Sequence, residues 1–260
     1  MERVVRPREK GLRKNQILFL GMMFLLAGMI SRGFLQNRVL QMGSLTGAQL
    51  LETLSASGTA MAAATVALVM QALETCAIPI FAFLLVAEYE KGRGRKKMLL
   101  YLLITAVVSE IPYNYMLTGN YLHMASRNPA VAMLIGVAVL YFFNRYCENT
   151  FQNVLIRCLI GFAAVLWSEV LNVDQGAALL IVMMVMWTLR AKKQMISLFG
   201  GVVAAACVLI SPFYIASPMG ILPVHLYRED TEEDPAEGKI FPYLIYPILL
   251  LSVGIVSNFI

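Results

Sequence analysis

Apolar runs of bilayer length, repeated along the chain with only short polar links between them, set the terms for what this sequence can fold into. They cover about residues 16–31, 57–73, 76–88, 98–117, 129–143, 153–171, 176–189, 196–214, 216–227 and 240–259. A helix needs roughly 20 apolar residues to cross hydrocarbon, because lipid offers no partner to an open backbone N–H or C=O. Several runs reach or approach that length. With 59% hydrophobic and 14% charged residues and a mean hydropathy of +0.70, the chain is too apolar for the surface of a water-soluble domain. The expected fold is all-α: a polytopic transmembrane helix bundle of about eight to ten membrane segments, some of them broken or re-entrant. Residues 1–15 read as a basic N-terminus, and residues 16–260 as one integral membrane domain in contact with the lipid bilayer.

The net charge of +5 is carried in short basic clusters between apolar runs and forms no continuous face, so it encodes topology and no nucleic-acid partner is expected. Clusters at Arg3–Lys14, Lys91–Lys97, Arg145 and Arg190–Lys193 place the N-terminus and three loops in the cytoplasm of a multi-pass cell-membrane protein. The first apolar run lacks a small-residue cleavage site and reads as an uncleaved helix. Three full spans between Lys14 and Lys91 would put those clusters on opposite sides, so one segment there must be irregular. The stretch Ala60–Glu88, interrupted by Glu74 and Pro79, is the expected site. A second broken or hairpin pair is expected around Pro212, Pro218 and Pro223, and a solvated acidic loop over Arg228–Lys239.

Ionisable groups inside membrane segments are costly and mark functional positions. Glu110 lies one turn from Asn114, and the two can share a helix face near Pro112; an outer-interface carboxylate beside Tyr113 and Tyr115 is the alternative. Glu169, Asn172 and Asp174 fall where two apolar runs meet, and Asp174-Gln175-Gly176 suits a helix-capping turn. Glu74 needs a partner if it is buried. His123 and His225, the only histidines, read as interfacial residues. Cys76, Cys147, Cys158 and Cys207 show no metal-ligand spacing, and no metal is expected.

Motifs add a resemblance. Ile78-Pro79-Ile80-Phe81-Ala82-Phe83-Leu84-Leu85, the basic turn Lys91–Lys97, and a helix ending Ser109-Glu110-Ile111-Pro112-Tyr113-Asn114 follow one another in an order that resembles the TraX family. Arg127-Asn128 leading to Gly136 is similar to its "Q-N-V-x-x-T-L-x-x-G" segment, and Asp174-Gln175-Gly176 to its "D-Y-G". Leu222-Pro223 to Tyr227, then Lys239, Phe241, Tyr243, Tyr246 and Pro247, resemble its closing region. The likeness covers about residues 50–259.

The resemblance implies an integral membrane acetyltransferase, since the founding members acetylate the N-terminus of conjugative pilin. Acetyl-CoA would be the donor, and the acceptor an amine or hydroxyl on a membrane-associated or exported molecule such as a pilin-like protein or a surface polymer. Glu110, Asn114, Asn128 and Asp174 would line the site, with Tyr246 as a hydrogen-bond donor near the acyl group. The chain departs from the family where Ser55–Ala64 lacks an Asp-His pair, Glu74-Thr75 replaces "G-R", Ala132 replaces a threonine and Leu249 replaces a histidine. Losing both histidines makes a catalytically degenerate scaffold or regulator the alternative, and the broken helices suggest a transporter as a third reading.

Overall fold

The computed structural model describes residues 11–42, 45–92, 94–121, 126–228 and 241–259. Within them the protein is an all-α bundle. Helix α1 (Lys14–Ile30) runs on into a π-helical stretch, Ser31–Val39. A short exposed helix α2 (Gly47–Ala56), capped by Thr46, leads to α3 (Gly58–Glu74) and α4 (Ala77–Glu90). There follow α5 (Arg95–Thr118), α6 (Pro129–Arg145), α7 (Phe151–Val170), α8 (Gly176–Thr188) and α9 (Lys193–Ala206). A 3-10 stretch (Pro212–Gly220) then precedes the five-residue α10 (Ile221–His225), and α11 (Phe241–Phe259) packs along α5.

Among the described residues, five helical segments are long and apolar enough to cross a membrane: Lys14–Val39, Gly58–Glu90, Arg95–Thr118, Phe151–Val170 and Pro242–Phe259. Three more, Pro129–Arg145, Gly176–Thr188 and Lys193–Leu209, are apolar but shorter. Helix α8 lies at the centre, apolar on every side and with Leu180, Val182, Met183, Met186 and Trp187 fully buried. Helix α7 is the opposite case. It exposes Leu159, Phe162, Trp167 and Val170, an apolar surface that suits lipid better than water.

The irregular segment falls where the charge pattern requires it. Only Thr75 and Cys76 separate α3 from α4. The freed polar groups are satisfied internally: Thr75 Oγ1 donates to the carbonyls of Ala72 (2.7 Å) and Phe213 (3.3 Å), and Cys76 Sγ contacts the Ala216 carbonyl oxygen at 3.1 Å. The 3-10 stretch at Pro212–Gly220 thus buttresses the break, and Gly220 makes the approach possible, because a Cβ there would lie 2.0 Å from the Cys76 carbonyl oxygen.

Helices α1 and α4 run antiparallel. Lys14 pairs with Glu88 at 2.7 Å, Gly21 packs on Ile80 and Phe81, and Gly28 packs on Glu74. Glu88 also lies 3.9 Å from Lys91, so the N-terminal and Lys91 basic groups share one face. Arg190 joins that face through Glu90 (3.3 Å), and the backbone of Leu12 pairs there with Leu226 and Arg228. His123 and most of the acidic loop, from Glu229 to Lys239, lie outside the described residues.

Candidate functional site

Three charged side chains from three distant parts of the chain meet inside the bundle. Arg32, one residue into the π-helical extension of α1, donates through one terminal nitrogen to Glu74 and through the other to Asp174. Glu74 is 1% exposed, and its second oxygen, Oε2, has no hydrogen-bond partner among the described residues. Neither has Arg32 Nε. Tyr113 of α5 donates to Asp174 at 3.2 Å and lies 3.2 Å from the Ser126 hydroxyl. Tyr246 of α11, 7% exposed, stands within electrostatic range of Tyr113, Asp174 and Arg32.

Local structure explains each position. Gly28, one turn before Arg32, leaves the space that Glu74 fills: a Cβ there would lie 2.0 Å from the Glu74 carboxyl carbon. Asp174 sits in a link of five residues between α7 and α8 that holds Asn172 (φ 50°) and Gln175 (φ 57°) in the left-handed region, a strained backbone for residues with a Cβ. The link is pinned by backbone bonds in both directions: Arg127 N–H donates to the Asn172 carbonyl at 2.8 Å, and Asp174 N–H to the Arg127 carbonyl at 3.0 Å. The capping expectation for Asp174 is overturned. Gln175 takes the N-cap position with no side-chain capping bond, and the Asp174 carboxylate is drawn away by Arg32.

Beside this cluster lies a cavity of about 860 Å³ between α1, α4, α5, α6, α8 and α11. At the basic face it is lined by Lys14, Glu88, Lys97, Tyr101 and Tyr243; the two tyrosine rings have centroids 5.5 Å apart. Its wall then becomes apolar, through Met98, Leu102, Leu25 and Phe81. Ala77, Gln175 and Tyr246 line it next to the charge cluster. Gln175 is the link, since it lines the cavity and is the chain neighbour of Asp174.

Of the residues singled out in the sequence, Asp174 and Tyr246 are at this site and Glu74 is central to it. Glu110 and Asn128 form a separate group. Glu110 takes Arg127 at 2.8 Å and the Asn128 amide at 2.7 Å, while Asn128 caps α6 by accepting from Ala130 N–H at 3.0 Å and donates to the Ala106 carbonyl at 2.9 Å. That group holds α5 to the start of α6, and with it the residue that pins Asp174. Asn114 is buried on α5, but no hydrogen bond joins it to Glu110 among the described residues. His225 is exposed and 3.1 Å from Ser197, far along the chain from the charge cluster.

Sequence reading did not pick out Arg32 or Tyr113 as site residues. The resemblance set the family's Asp-His pair against Ser55–Ala64, which has neither residue and is mostly exposed; the helix that packs antiparallel to α4 is α1. A signal was present in the unpaired acids themselves. A buried Glu74 needs a cation, and Arg32 is a lone basic residue at the end of an apolar run, outside any basic cluster.

No curated protein and no solved structure matches the chain. The profile of the family described as TraX protein matches residues 33–257, from the residue after Arg32 to the last turn of α11. The match takes in Glu74, Tyr113, Asp174 and Tyr246 together with the helices that position them, and on it the chain belongs to the TraX family.

Proposed function

We propose that this is a multi-pass membrane acyltransferase, with its basic face in the cytoplasm, that moves an acetyl group from acetyl-CoA to an amine or hydroxyl of a membrane-associated or exported acceptor. One observation carries the reading: an apolar cavity runs from a basic, aromatic mouth to Gln175 and Tyr246, beside a buried charge cluster in which a carboxylate oxygen and a guanidinium nitrogen have no hydrogen-bond partner among the described residues. Lys14 and Arg32 are 18 residues apart on one helical run, roughly 27 Å at about 1.5 Å per residue. The cluster therefore lies near the far boundary of a hydrocarbon layer about 30 Å thick, within reach of an acceptor on the exported side.

The mouth suits a nucleotide thioester. Lys14 and Lys97 meet phosphates, Tyr101 and Tyr243 offer ring faces to a base, and the apolar wall excludes water around the arm. Bound acetyl-CoA supplies an activated acyl carbon. Glu74 Oε2 takes the proton of the acceptor as its nitrogen or oxygen bonds to that carbon, and returns it to the sulfur as the carbon–sulfur bond breaks. Arg32 Nε and the Tyr246 hydroxyl donate to the carbonyl oxygen as it gains charge. Asp174 and Tyr113 position Arg32.

Thermal unfolding of the detergent-purified protein tests the reading. Acetyl-CoA at a hundredfold excess over Kd should stabilise the native state by about 2.7 kcal/mol, and Glu74→Gln should abolish acyl transfer while keeping that stabilisation. Saturable binding without turnover by the wild type over a panel of amines and alcohols would favour the degenerate regulator. No binding at all would favour the scaffold.

A further inference from the structure

Away from the cavity, the ends of α6, α7 and α8 carry a second group of cations on the basic face. Arg157, the seventh residue of α7, lies roughly 9 Å into that helix at about 1.5 Å per residue, below the level of the turn that precedes it. Among the described residues it has no carboxylate partner; its one side-chain bond is to the Asn149 amide oxygen, at 3.3 Å. Its guanidinium carbon stands 5.8 Å from the centroid of the Trp187 ring, and that of Arg190 stands 3.8 Å from the same centroid. Trp187 is fully buried and edge-on to Phe143 of α6 at 5.2 Å, so the platform that gathers the two arginines is fixed by the core. Arg145 and Lys192, both exposed, end α6 and precede α9 on the same face. Against these four cations stand Glu90, already paired with Arg190, and Glu148, exposed in the turn between α6 and α7.

A cation at this depth on a lipid-facing helix is costly unless an anion meets it. A phosphodiester headgroup is the anion that the surroundings of α7 supply, with acyl chains to cover the exposed Leu155, Leu159 and Phe162 below it. We propose that the ends of α6, α7 and α8 form a binding site for an anionic phospholipid, with Arg157 and Arg190 on its phosphate.

Reconstitution tests this. Wild-type protein is placed in vesicles of phosphatidylcholine alone, or with one quarter of the lipid replaced by phosphatidylglycerol, and its unfolding midpoint and the lipids retained in native mass spectrometry are recorded. Phosphatidylglycerol should raise the midpoint and be retained in preference to phosphatidylcholine. Arg157→Gln should weaken that preference about fivefold, from about 1 kcal/mol per basic side chain, Arg157→Lys should keep most of it, and Lys192→Gln should change it little. An equal response of wild type and Arg157→Gln would overturn the proposal, because Arg157 would then merely extend to the headgroup layer. So would reproduction of the whole effect by inorganic phosphate in phosphatidylcholine vesicles, which would make this a free-anion site. If Arg157→Gln does not fold, Arg157→Lys and the retention of phosphatidylglycerol by wild type decide.

Discussion

Arg32 is held by two carboxylates that lie 42 and 142 residues away in the chain. Removing it should therefore cost more than a bond. Arg32→Gln leaves Glu74 and Asp174 with no cation between them, and breaking a buried pair in this way destabilises by about 3–5 kcal/mol; chemical unfolding in detergent should show a loss of that order. Tyr113→Phe removes a neutral donor from Asp174 and should cost about 1 kcal/mol. The two measurements separate charge compensation from hydrogen bonding. At this scale the sequence was half legible. Asp174 and Tyr246 could be picked out because they sit in recognisable motifs, and Glu74 because an acid between apolar runs demands an explanation. Arg32 was missed: only the demand of a buried Glu74 for a cation pointed to it, and the pairing itself forms once α1 has docked on α4. Glu110, Asn114 and Asn128 were visible for the same reason as Asp174, but Glu110 and Asn128 are joined in a clamp between α5 and α6.

Among the elements, the broken helix α3–α4 was the most legible. Two basic clusters with an odd number of apolar runs between them required an irregular segment, and the interruption lies at Thr75 and Cys76. What the sequence did not disclose was the partner of the break, because contact between Gly220 and the Cys76 carbonyl joins positions far apart in the chain. Gly220→Ala should force the 3-10 stretch off the break and cost about 1–3 kcal/mol, as overpacking does. Gly47→Ala, at the start of exposed α2 with nothing within 4 Å of the added carbon, is the control and should leave the unfolding midpoint unchanged. Helix α2 itself is absent from a reading by apolar runs, since it buries no residue and is held at its start by the Thr46 and Gln49 capping box.

For the whole molecule, orientation and the direction of the cavity are one question. With the basic face in the cytoplasm, Cys147, exposed in the turn after α6, should react with a membrane-impermeant maleimide in inside-out vesicles and stay unlabelled in intact cells. A Cys158→Ser background removes the other exposed thiol. Labelling from outside would reverse the topology and put the cavity mouth on the exported side. Lys97→Gln, a change at the exposed rim of that mouth, should lower acetyl-CoA affinity and leave stability without ligand unchanged. The bundle class was written in composition and run length; the cavity was not, because its six walls come from helices spread from Lys14 to Tyr246.

The pairing of Arg32 also sets an order of assembly. On the proposed membrane insertion, α1 enters with its arginine long before Asp174 has been made, and Glu74 alone neutralises it until Asp174 follows. The α3–α4 break must likewise wait for Ser211–Gly220 before its backbone is closed. Chains stopped after α6 should therefore insert yet remain substrates for membrane quality-control proteases, and resistance should appear only once the segment through Gly220 has emerged.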